Sequence, residues 1–245
     1  MNRLFLSIIF ILFSLRALAC SCAPNNIIQD FFESDVTAII EIKQTFGDEI
    51  RADQMFGART YKAKVNFLSL FKGNKFEELN IVGQTNDVRS ASCEIMIKPG
   101  EKYLISLNKN AKGEFWISEC SSIQSINRED TDVTVNNYKN LFKYLNKNKK
   151  KFENGEFLVY VDETREFNND TKRIESGIQK LRKKNIGFGL YKIKIDDSYS
   201  ITEVETIKKL KVNQTKLYEL LKSKFKVYTP DKYSAEKKYF IALIY

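Results

Sequence analysis

Cys20 and Cys22 sit where a signal peptidase would cut, and two further cysteines, Cys93 and Cys120, lie far downstream. Ala17 and Ala19 form an A-x-A cleavage site behind an apolar run from Leu4 to Leu15, with Arg3 as the positive lead. That run is shorter than the roughly 20 apolar residues a spanning helix needs. Residues 1–19 therefore read as a cleaved signal peptide, and the chain as exported, either secreted to the extracellular space or periplasmic, where disulfides are permitted. Cutting after Ala19 makes Cys20 the first residue. A terminus that begins Cys-x-Cys, with two distant partners, can be pinned together with its α-amine, so the terminus itself is the candidate working part. A cysteine just after the cut also suits a bacterial lipoprotein signal. The usual leucine three places before it is replaced by Ala17, with Leu18 one place late. Lipidation would acylate the amine of Cys20, and membrane contact is expected only in that case.

Composition narrows the function classes. The chain has no histidine, which removes the commonest general base and the commonest metal ligand. With four cysteines destined for disulfides, neither a nucleophile nor a zinc cage stands out. An enzyme is not expected, nor is a cofactor. The net charge of +9 comes from lysines scattered along predicted helices, a solvated surface that does not call for nucleic acid.

The pattern of apolar residues places these cysteines on elements. Ile27 to Glu33 reads as a short helix with Ile28, Phe31 and Phe32 on one side. Val36, Ala38, Ile40 and Ile42 alternate within a strand from Asp35 to Thr45. Gly47 to Arg59 reads as a polar loop. Further strands are expected at Tyr61 to Phe71, Leu79 to Val82, Lys102 to Leu107 and Glu114 to Ser118, which makes five at barrel spacing. From Val135 the period changes: Tyr138, Leu141, Phe142 and Leu145 fall at i, i+3, i+4 and i+7 of an amphipathic helix. Asn154-Gly155 marks a boundary. Beyond it the chain has no cysteine and reads as a small α+β unit, residues 155–245. Its expected strands are Phe157 to Val161, Leu190 to Ile195, Ile201 to Ile207 (a helix being the alternative) and Tyr239 to Tyr245. Its expected helices are Thr171 to Lys184 and Asn213 to Lys226.

Four cysteines allow three connectivities. A Cys20–Cys22 bond would strain a tripeptide, which leaves two long-range pairings. At this point the residues resemble a known family. Cys20-Ser21-Cys22-Ala23-Pro24, the short helix, and Asp35-Val36-Thr37-Ala38-Ile39-Ile40 look like the start of the tissue inhibitors of metalloproteinases. Ser90-Ala91-Ser92-Cys93 is similar to the family's loop before its second half-cystine. Glu101 to Ile105 and Phe115 to Cys120 are similar to its fourth and fifth strands. The resemblance covers roughly residues 20–152, and the matching cysteine separations imply Cys20–Cys93 and Cys22–Cys120. The implied fold for residues 20–153 is the netrin-like module, an all-β five-stranded OB-like barrel with flanking helices.

The resemblance also implies a mechanism. The α-amine and carbonyl oxygen of Cys20 would chelate the catalytic zinc of a partner protease, displacing the water at its open position. An α-amine has an ordinary pKa of about 7.7–8.0, so a metal can compete with the proton near neutral pH. Ser21 would enter the specificity pocket. Cys22, Ala23 and Pro24 would lie along the cleft, with Ala91, Ser92 and Cys93 as a second strip. The expected partner is thus a zinc metalloprotease. The chain departs from the family where Phe32 stands in place of an expected half-cystine, and where residues 47–59 match poorly. The alternative is a non-inhibitory secreted or lipid-anchored envelope module that binds other proteins through the same fold. Residues from Gly189 onward look somewhat like the C-terminal domain of TonB-type envelope proteins, which would make 155–245 a second protein-binding unit.

Overall fold

A computed structural model of the chain describes residues 22, 26–51, 58–86, 93–126, 131–162, 187–228, 234 and 236–244. The expected signal peptide at 1–19 and the expected helix at 171–184 lie outside them.

The first layer is a six-stranded sheet. Its strands are β1 (Val36–Arg51), β2 (Ala58–Lys72), β3 (Glu78–Val82), β4 (Lys102–Leu107), β5 (Trp116–Ile117) and β6 (Ile123–Ser125), in the order β5-β3-β2-β1-β4-β6. All pairs are antiparallel except β3 with β5, which run parallel. Laid flat, the two edge strands would stand five strand spacings apart, about 24 Å. They are joined by residues 118–122, which contain a turn, and so short a link forces the sheet to curl. Register shifts along β1 and β2 add the local bending that such a curl needs. The result is a curled mixed half-barrel compatible with an OB-like netrin fold.

Two expectations are corrected here. The sheet has six strands rather than five, because Ile123–Ser125 pairs with Tyr103–Ile105 along the outer edge of β4. Residues 47–51 and 58–59 are arms of a long hairpin rather than loop, with Glu49 opposite Thr60 and Ile50 opposite Arg59. Consecutive residues 47–50 are all exposed, so no alternation of buried and exposed positions marks the strand.

The central strands are buried on both faces. Val36, Ala38, Ile40 and Ile42 join Tyr61, Leu79, Ile81, Ile105 and Ile117 inside the half-barrel. The opposite face carries Ile39 and its cross-strand partner Leu104, both fully buried. They are covered by helix α1 (Ile27–Glu33), which brings Ile28 and Phe31, and by helix α2 (Thr131–Lys147), which brings Tyr138, Leu141, Phe142 and Leu145. The predicted periodicity of α2 is the buried face observed. Thr37 shares this outer face and stays satisfied by hydroxyl contacts to Ser34 at 2.9 Å and Ser106 at 2.8 Å, as a buried polar group must.

After a short helix α3 (Lys149–Phe152), the chain turns at Asn154, whose φ is +59°. The expected single strand at 157–161 is two, β7 (Gly155–Phe157) and β8 (Val159–Asp162), in different sheets. Leu158 is the crossing point: it is buried, and its N–H donates to the Phe240 carbonyl at 2.8 Å. The remaining elements are β9 (Phe188–Ile195), β10 (Ile201–Lys208), α4 (Gln214–Lys224), β11 (Phe225–Tyr228) and β12 (Lys238–Ile244). They form a four-stranded sheet β10-β9-β12-β7 and a two-stranded sheet β11-β8. Residues 201–208 are strand, with Glu203 and Glu205 opposite Lys194 and Lys192. Leu217 and Leu221 of α4 pack with Tyr191, Ile193, Phe225 and Ile241 in a cluster of their own. A second cluster crosses position 154: Ile28, Phe31, Phe142 and Phe152 share it with Phe157, Leu190 and Phe240.

Candidate functional site

The surface expected to contact a partner is Cys20 to Pro24 with Ala91 to Cys93. Of these, Cys22 and Cys93 are described; Cys20, Ser21, Ala23, Pro24, Ala91 and Ser92 lie outside the described residues. Cys22 is exposed and is joined by a disulfide to Cys120, with the two Cα atoms 5.2 Å apart. Cys93 is disulfide-bonded as well.

Cys120 lies in the link between the two edge strands of the curled sheet. Ser118 carries the turn: its carbonyl accepts from the Ser121 N–H at 3.0 Å, its own N–H donates to Ser121 Oγ at 2.8 Å, and its Oγ accepts from the Cys120 N–H at 3.3 Å. Serines suit such a turn because each hydroxyl replaces a missing backbone partner. The next residue back, Glu119, donates its N–H to the carbonyl of Cys93 at 3.2 Å. The two downstream half-cystines are therefore side by side, although they come from separate loops. A segment beginning Cys-x-Cys needs its two anchors at that spacing.

The strip leading from Cys93 is fastened from below. The Ile95 N–H donates to the Val82 carbonyl at 2.9 Å. Tyr61, on β2, donates its hydroxyl to the Ile95 carbonyl at 3.2 Å and accepts from the Ile97 N–H at 3.0 Å. Gly83 permits the approach. Its φ is +145°, and a Cβ there would lie 2.6 Å from the Ile95 carbonyl oxygen, a contact only glycine avoids. Sequence reading missed both residues; a glycine directly behind a strand was the available signal.

Burial pushes the Tyr61 hydroxyl up from 10.0 to about 12, with nearby Glu101 and Asp48 adding to it against the Ile97 hydrogen bond. Tyr103, donating to Glu101 at 2.6 Å, is pushed up as well, chiefly by burial. Above pH 10.0 an unfolded tyrosine loses its proton while native Tyr61 keeps it until about 12, so stability is complete below the first value and falls as pH climbs through the second. Urea midpoints measured from pH 9 to 12 are expected to decline over that window, and less steeply in Tyr61→Phe. A slope unchanged by that substitution would contradict the assignment.

On the other side, Asn26 opens α1 four residues after Cys22. Its Oδ1 accepts from the N–H groups of Ile28 and Gln29 at 3.1 and 3.3 Å, the usual N-cap arrangement. Asp30 accepts a hydrogen bond from Ser122 Oγ, which ties the helix to the turn holding Cys120. Burial raises the Asp30 carboxyl above its ordinary range, Ser122 opposes that rise, and Glu33 adds to it. Cys22 is thus fixed by its disulfide, and the capped helix is entered at Asn26, four residues on. No helix of the described residues is long and apolar enough to cross a membrane.

No curated protein matches the sequence. The profile of the tissue inhibitor of metalloproteinase family matches residues 18–151, which takes in all four cysteines, the six-stranded sheet and both covering helices, and ends before β7. Members of that family are inhibitors rather than enzymes. With more than half of its length matched, this chain belongs to the tissue inhibitor of metalloproteinase family.

Proposed function

We propose that the mature chain inhibits zinc metalloendopeptidases by placing the α-amine and carbonyl oxygen of Cys20 on the protease zinc. The observation that carries this reading is the junction of Cys22, Cys120 and Cys93: one disulfide and the Glu119 N–H to Cys93 carbonyl bond gather three of the four cysteines at one edge of the half-barrel. A Cys20–Cys93 bond would complete it. Such a terminus docks without a large loss of chain entropy, and its donor pair fits the open coordination position of a catalytic zinc. Ser21 enters the specificity pocket beside the metal. Cys22, Ala23 and Pro24 follow the cleft, and Ala91, Ser92 and Cys93 form the second contact strip. Export, with removal of residues 1–19, is part of the proposal because it creates the amine.

The test is an inhibition assay against a panel of zinc endopeptidases, run on protein whose first residue has been identified by mass spectrometry. A free amine on Cys20 and stoichiometric inhibition of at least one protease are expected. A diacylglyceryl or acylated Cys20 in the native protein would overturn the proposal and favour a lipid-anchored binding module.

A further inference from the structure

Helix α1 has seven residues, too few to be stable alone in water. Its direction is supplied from outside, and two side-chain hydrogen bonds and a ring contact that help to supply it meet on one residue of the C-terminal part. Phe157 ends β7, the edge strand of the four-stranded sheet. An edge strand leaves a row of backbone groups unpaired. Here both of Phe157's are taken by α1 and its N-cap: its N–H donates to Gln29 Oε1 at 2.8 Å, and its carbonyl accepts from Asn26 Nδ2. The Phe32 ring stacks on the Phe157 ring, centroids 5.9 Å apart and planes 14° apart. Phe152 and Phe240 close the cluster, each ring 5.3 Å from that of Phe157. At the far end of the helix, Lys72 Nζ donates to the carbonyls of Phe31 and Phe32 at 3.0 and 2.9 Å.

We infer that the sheet formed by residues 155–157 and 238–244 with its neighbours is a brace for the N-terminal segment, and that Asn26, Gln29, Phe32 and Phe157 are positioning residues for it. Asn26 and Cys22, four residues apart, are then fixed by the brace and by the disulfide respectively. Phe32 takes the place at which the family resemblance calls for a half-cystine, so a non-covalent grip stands where a covalent one is missing. The functional consequence rests on the inhibitor reading; the structural content does not.

The full-length chain tests this with two substitutions. Asn26→Asp keeps the cap, since Asp accepts from the same N–H groups as well as Asn does, but cannot donate to the Phe157 carbonyl. Gln29→Met keeps a good helix former and removes the acceptor. In the double variant, hydrogen exchange at the Phe157 amide and across 26–33 is expected to accelerate about tenfold or more, with global unfolding little changed. The inhibition constant is expected to rise about tenfold, and Gln29→Glu, which restores an acceptor, is expected to recover Phe157 amide protection. Unchanged exchange would overturn the brace, and faster exchange with unaltered inhibition would overturn the positioning role. If the native chain inhibits no protease, the inhibitor reading falls alone. The brace is then judged by exchange and by reduction of the Cys22–Cys120 disulfide with a soluble thiol, which must be faster in the double variant.

Discussion

One alanine added ahead of Cys20 is expected to raise the inhibition constant by roughly 100-fold or more, a loss of about 3 kcal/mol at 1.4 kcal/mol per tenfold. Thermal unfolding is expected to stay where it was. The extension converts the terminal amine into an amide nitrogen, which has no lone pair to give a metal, and puts a residue where the zinc must sit. Nothing in the described fold needs that amine: the sheet, the capped helix and the Cys22–Cys120 bond all begin after it. The two readouts therefore separate chelation from folding. An extended chain that inhibits as tightly as one starting at Cys20 would rule chelation out and move the contact to the side-chain strip.

Replacing Cys22 and Cys120 together by serine is expected to act on both readouts. The bond closes a loop with a sequence separation of 98. In the chain-entropy view, opening a loop of that size costs about 4–5 kcal/mol of stability, which for a chain of this length lowers the melting temperature by about 10–15 °C. Inhibition is expected to be lost even at temperatures where the fold survives, because the segment before Asn26 no longer has a fixed far end. Scanning calorimetry of the oxidised native protein against the double serine variant measures the first effect, and titration of a sensitive protease measures the second. A variant that melts with the native protein would mean the bond does not constrain the unfolded chain.

Local pattern carried much of the way. The spacing of Tyr138, Leu141, Phe142 and Leu145 was enough to place the face that α2 buries, and the alternation from Val36 to Ile42 was enough to place a strand. Both depend on side chains a few residues apart, whose geometry the helix and strand periods determine. The hairpin arms at 47–51 and 58–59 were not legible, since their strand character comes from cross-strand hydrogen bonds rather than from apolar side chains. Nor was the split at Leu158, where one apolar run serves two sheets. Its residues suit either sheet, and only the position of Phe240 decides where the chain crosses.

What the sequence determined by itself was the chemistry available: no histidine, four cysteines, two of them directly behind an A-x-A pattern, and a resemblance carried by the residues around them. It left two long-range pairings open, because spacing along a chain does not say which loops meet. The tertiary structure decided that Cys120 faces Cys22 and that Cys93 lies against Glu119, on the short link that joins the two edge strands of the curled sheet. It also decided what covers Ile39 and Leu104, and that Phe157 grips α1. Each of these is a contact between residues distant in sequence, set by how strands pair and layers stack.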